Sequence, residues 1–163
     1  MKRLYAARSL FIILLVLWMA FIFCLSAQSA TQSSELSRGF VYKGFCIIYP
    51  NFEGLSVERQ TEIISSVMFP VRKAAHFAEY AVLGALSFLA VCSYEKISFK
   101  ARVGISFTIS LLYSVSDEIH QIFVPGRACR LLDVCVDCAG ALLAILFASF
   151  LFVRRKKDGQ ERN

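Results

Sequence analysis

The chain has two histidines, and both stand beside carboxylates and cationic side chains in otherwise apolar surroundings. His76 lies in the string Arg72-Lys73-Ala74-Ala75-His76-Phe77-Ala78-Glu79-Tyr80. His120 lies in Asp117-Glu118-Ile119-His120-Gln121, and Arg127, Arg130, Asp133 and Asp137 follow. An imidazole oriented by a carboxylate is suited to general acid/base work near neutral pH. Guanidinium groups suit phosphate and carboxylate ligands. The candidate ligand-binding set is Arg72, His76, Glu79, Tyr80, Asp117, Glu118, His120, Gln121, Arg127, Asp133 and Asp137, and the candidate catalytic residues are His76, His120 and Asp117. No activated Ser or Cys nucleophile is evident, and the Pro-Ser-Gly-His string of membrane lipid phosphatases is absent. Two histidines and several carboxylates could hold zinc or manganese. No HxxxH or similar local spacing supports that, so neither a metal nor a cofactor is expected.

On a helix, residues three and four apart share a face. That spacing aligns Arg72, His76 and Glu79. It aligns Ser110, Ser114, Asp117 and Gln121, flanked by Tyr113 and His120. It also sets Asp133 and Asp137 above Gly140, Ala144 and Ala148. A small-residue stripe is what close helix packing in membranes uses, so the two aspartates should face a bundle. An ionisable group deep in a span costs ~2.5–3.5 kcal/mol on insertion scales. Arg72, Lys73, Arg127 and Arg130 are expected to neutralise most of Glu79, Asp117, Glu118, Asp133 and Asp137.

These faces need helices to carry them, and the composition supplies apolar ones. Of the 163 residues 57% are hydrophobic and 18% charged, with 15 Phe and a mean hydropathy of +0.59. A soluble domain is nearer a quarter charged. The expected fold is an all-α integral membrane protein of one domain, residues 1–163, with about four spans at roughly 9–27, 74–94, 103–124 and 131–153. Residues 28–70 read as an outer loop with one short surface helix from Ser56 toward Met68, before Pro70. Pro125-Gly126 reads as a tight turn, and 154–163 as a charged cytoplasmic tail. The first apolar run also fits a signal peptide, but its length favours an uncleaved helix. Phe23 before Cys24 argues against a lipoprotein signal.

Orientation follows the distribution of Lys and Arg. With both termini cytoplasmic, 11 of the 18 fall inside, including the cluster Arg154, Arg155, Lys156 and Lys157. All three polar strings then lie at the outer face. The net charge of +6 therefore marks topology, and no nucleic-acid partner is expected. The six cysteines read as small packing residues, Cys135 and Cys138 included. Cys46 and Cys129 fall on the same side and could form a disulfide. The oligomeric state is not legible.

At these residues the sequence resembles the VanZ-like family of bacterial membrane proteins. The matching pieces are SAQS at 26–29, RKAAHFAEYAVLG at 72–84 and SDEIHQIFVPGRACRLLDVCVDCAG at 116–140. The resemblance implies a multi-pass protein of the bacterial cytoplasmic membrane. The family's founding member is associated with low-level resistance to teicoplanin, a lipoglycopeptide that binds cell-wall precursor peptides, so such a precursor or lipoglycopeptide is the implied partner. No reaction comes with the resemblance. Where the family pattern leads one to expect Asn, four residues after Asp133, this chain has Asp137, which adds negative charge there.

Four function classes meet these residues. One is a binding module for a polar or anionic headgroup, with Arg72 and Arg127 on the anion and Asp117, His120 and Gln121 orienting it. A second is a hydrolase or transferase on a lipid-linked substrate. A third is a structural ion-pair network pinning three helices. A transporter is the weakest, because charges at one face leave no through-path.

Overall fold

The computed structural model describes residues 2–160, with side-chain surroundings for 5–154. Its apolar side chains point outward to an unusual extent. Leu17, Leu112, Leu143 and Phe147 are all at least 60% exposed, while Ser87, Ser106, Ser110 and Ser114 are completely buried. A water-soluble protein does the reverse. The inversion suits hydrocarbon, where outward apolar groups cost nothing and polar groups must find partners inside.

Five α-helices and one 3-10 turn make up the described residues, with no strand among them. They are α1 (Lys2–Ser26), α2 (Ala30–Ile48), the turn Phe52–Gly54, α3 (Val57–Cys92), α4 (Phe99–Gln121) and α5 (Leu131–Gln160). Three of the helices are long and apolar enough to cross a membrane, over Tyr5–Ser26, Val57–Cys92 and Leu131–Arg154. With the composition, they make this a membrane protein. α4 lies outside that set. Its low hydropathy comes from an inward stripe of Ser106, Ser110, Ser114, Asp117 and Gln121, whereas its outer face carries Ile105, Leu112, Val115 and Ile119.

α3 and α5 pack most closely, and two glycines make that approach feasible. A Cβ on Gly84 would stand 2.6 Å from the Ala141 carbonyl oxygen, and one on Gly140 would collide with the Phe77 carbonyl oxygen. Gly140 plays its expected part as a small packing residue. α1 closes the bundle through Leu15 and Ile22, which join Tyr80, Leu83, Ala90 and Ala141 in the main core. The Trp18 indole donates to the Glu79 carbonyl oxygen at 2.9 Å, and the Tyr113 hydroxyl donates to the Met19 carbonyl oxygen at 2.5 Å. Both bonds pin α1 at the level of the polar strings.

The segment 28–70 departs most from expectation. Its Ser-rich beginning is helical, because Ser29 and Gln32 form a reciprocal capping box that opens α2. Such a box satisfies two of the backbone N–H groups a helix start leaves bare. The short helix after Ser56 does start there, with the Ser56 side chain accepting from the Arg59 N–H. It does not end before Pro70. α3 runs through Pro70 for 36 residues, about 54 Å at the usual rise and nearly twice a hydrocarbon core. Proline removes one backbone bond without stopping a helix whose neighbours hold it. The early part of α3 packs with α2 and the 3-10 turn around a second small core of Val41, Phe52 and Ile64. Cys46 and Cys129 are free thiols, as are the other four cysteines.

Candidate functional site

The site forms where the end of α1, the start of α2, the middle of α3, the end of α4 and the start of α5 meet. Its loop is held by local chemistry. Gly126 adopts φ +74°, a conformation glycine reaches without a Cβ clash, so the expected Pro125-Gly126 turn forms. The Ala30 N–H donates to the Pro125 carbonyl oxygen at 3.1 Å, which ties this turn to the first residue of α2. Arg127, next in the chain, donates from Nε to the Gln28 carbonyl oxygen at 3.3 Å.

Two adjoining cavities open here. One, of about 340 Å³, is lined by Arg72, Lys73, His76, Gln121, Arg127, Arg130 and Asp133, with Ser65, Met68 and Phe69 at its side. The other, of about 470 Å³, has Arg72, His76, Glu79, Asp117, Gln121 and Arg127 on its polar side, and Phe21, Ile22, Leu25, Leu36, Phe40 and Val71 on its apolar side. Both fall within the ~300–1,000 Å³ range of small-ligand sites. Arg72, His76, Gln121 and Arg127 border both. The expected face of α3 therefore does reach a common space with the stripe of α4.

The charges pair less than their number suggests. Lys73 bridges to Asp133, as expected. His76 Nδ1 lies 3.7 Å from Asp137 Oδ1, while Asp137 Oδ2 accepts from the Ser114 hydroxyl at 2.8 Å. Asp117 accepts from the Gln121 amide at 3.3 Å. The carboxylate of Glu118 accepts from the Arg130 backbone N–H at 2.7 Å, so it holds the loop and not a cation. The remaining ion pair among the described residues, Arg59–Glu62, is exposed and local. Neither Arg72 nor Arg127 has a carboxylate oxygen within 4.0 Å among the described residues, so the expected neutralisation is achieved only at Lys73. Burial, and after it the like charge of Arg72, pushes the Arg127 guanidinium below the usual arginine range. An anion between the two would relieve that repulsion.

Not every candidate residue reaches the cavities. Tyr80 is completely buried, its hydroxyl without a partner, and its ring lies against Tyr113 at 6.3 Å. Glu118 is buried under the loop. His120 turns toward α1, where its ring packs at a tilt against Phe23 with centroids 4.7 Å apart, and it borders neither cavity. Asp137 stands behind His76. Among the described residues, no group of three or more His, Cys, Asp or Glu side chains has a metal-holding arrangement. Two parts of the site were absent from the candidate set. One is the pair Lys73 and Arg130, visible in the sequence as charges but expected only to neutralise. The other is the apolar wall from α1 and α2, whose α2 part, Leu36 and Phe40, was signalled by the capping box at Ser29 and Gln32.

No curated protein and no solved structure matches the chain. A family model does match, over residues 11–152, a stretch that contains every residue bordering the two cavities. On that match, which covers most of its length, the chain belongs to the VanZ/LLP1 family.

Proposed function

We propose that this is a four-span protein of the bacterial cytoplasmic membrane, with both termini inside, that binds an anionic headgroup at the outer face and thereby contributes to glycopeptide resistance. The ligand in this proposal is carried on a cell-wall precursor, another lipid or a lipoglycopeptide such as teicoplanin. The observation that carries it is the pair Arg72 and Arg127, which borders both cavities with no carboxylate within ion-pairing distance among the described residues. Two guanidinium groups on one cavity, with Glu79 and Asp117 beside them but beyond ion-pairing distance, are suited to a phosphate or carboxylate. The fourth span is α4, whose polar stripe faces inward and whose outer face is apolar.

Purified protein should bind teicoplanin or a lipid-linked precursor, and Arg72→Ala and Arg127→Ala should each weaken that binding roughly 10- to 100-fold, the effect of losing a hydrogen bond to a charged group. Wild-type affinity in both variants would refute the anion assignment. Cells carrying either variant at normal membrane level should lose the change in teicoplanin susceptibility.

One observation favours a second reading, a hydrolase or transferase. His76 borders both cavities and has Asp137 behind its Nδ1, the placement of an acid/base histidine and its orienting carboxylate. A His76→Ala protein that binds ligand normally but loses the phenotype would support chemistry. A full phenotype would remove it.

A further inference from the structure

Resting on the anionic-headgroup reading, we infer that the ligand is an amphiphile whose acyl chain lies in the apolar half of the larger cavity and enters sideways from the bilayer. The cavity is two-sided. Arg72 and Arg127 stand with Glu79, Asp117 and Gln121 on one side, and Phe21, Ile22, Leu25, Leu36, Phe40 and Val71 form the other. A free polar anion would leave that second side without a partner.

The position of the mouth supplies the direction of entry. Phe21, Leu36, Phe40 and Val71 line the cavity and are also exposed. Phe21 is on α1, within the stretch Tyr5–Ser26 that is apolar enough to cross a membrane. An opening bordered by the flank of such a helix faces hydrocarbon. Phe40 is 70% exposed, and so large an apolar side chain at the rim suits contact with lipid. The charge pattern selects the head: it lies toward the smaller cavity, where Lys73 and Arg130 join the same two arginines. The tail then runs away from them along α1 and α2. Apolar walls do not draw a chain from lipid by the hydrophobic effect, since lipid is as apolar as they are. The head drives binding, and the groove selects for the tail by shape.

The test uses protein in phosphatidylcholine nanodiscs and a single-chain phosphatidic acid with a photoreactive group in its acyl chain. Adducts should concentrate on residues 21–25 and 36–40. Ala75→Trp would fill the groove from an exposed position that lines it, and should reduce those adducts about tenfold, equivalent to roughly 1.4 kcal/mol. Phe40→Glu, which alters no buried residue, should give a similar loss. Glycerol 3-phosphate, the same head without the tail, should bind wild-type and Ala75→Trp protein equally by calorimetry. Adducts spread as strongly over Leu143 and Phe147 of α5, or unchanged in both groove variants, would overturn the tail assignment. Unchanged glycerol 3-phosphate binding in Arg72→Ala and Arg127→Ala, with adducts still on 36–40, would instead overturn the headgroup reading and leave the groove supported.

Discussion

The serines of α4 differ in what they hold, although their spacing is uniform. Ser106 donates to the Arg102 carbonyl oxygen at 2.7 Å and Ser110 to the Ser106 carbonyl oxygen at 3.1 Å. Ser114 breaks this ladder and donates to Asp137 on α5. A buried carboxylate that loses a hydrogen-bond donor costs more than a helix serine that loses its bond to the preceding turn. Ser114→Ala should therefore lower stability by about 1–3 kcal/mol, and Ser110→Ala by less than about 1 kcal/mol. Thermal unfolding of the purified variants in detergent measures both, and equal losses would show that Asp137 does not depend on Ser114. The inward stripe was legible from spacing alone, as were the inward aspartates. The choice of partner was not, because a serine hydroxyl reaches its own helix and a neighbouring helix equally well. Asp137 shows the same limit. Its extra negative charge was visible, but not that Ser114 would bond one of its oxygens while His76 stood 3.7 Å from the other, which has no hydrogen-bond partner.

Local rules and tertiary context part company in α2 and α3. The stretch QSATQSSELSRG has the polar content of a loop, and Gly39 and Gly44 weaken a helix further. The capping box at Ser29 and Gln32, together with an apolar side packed on the second core, outweighs both. At Pro70 the local rule predicts a stop, yet α3 continues, because a packed helix tolerates one missing backbone bond. The missed helix hid the α2 part of the apolar wall, Leu36 and Phe40, whereas the polar side was largely readable from α3 and α4. Ser29→Ala should loosen the start of α2 by about 1 kcal/mol. Amide exchange over residues 30–34 should then rise roughly fivefold, with α5 unchanged. The same variant should disturb Arg127, since the turn carrying it is bonded to Ala30. Weaker ligand binding should therefore accompany the faster exchange. Faster exchange with wild-type binding would show that the loop holds Arg127 without α2.

Across the whole molecule, the two ends of the bundle are built differently. One end holds the two cavities bordered by Arg72 and Arg127. The other is tied by Arg8 of α1, whose guanidinium donates to the Ser93 carbonyl oxygen at 3.0 Å and lies 4.1 Å from the Tyr94 ring centre. Such a contact anchors a helix end at an interface, with the charge kept near water. Arg102 caps the same end by donating to the carbonyl oxygens of Ile97, Tyr94 and Glu95. In the proposed topology, where basic residues that abut helix ends mark the cytoplasmic side, the tied end is inside and the cavities are outside. This assignment requires α4 to cross. Its 23 residues reach about 34 Å, enough for a hydrocarbon core of ~30 Å. Exposed thiols test the arrangement directly. Cys129 lies on the cavity-end loop and is exposed. A cysteine placed by Glu95→Cys, in a chain whose other five cysteines are replaced by serine or alanine along with Cys129, reports the opposite end. An impermeant maleimide added to intact cells should label the protein retaining Cys129 alone, and the Glu95→Cys protein only after the membrane is opened. The reverse pattern would invert the protein. Labelling of both from outside would mean that α4 does not cross, and the four-span arrangement would fall with it.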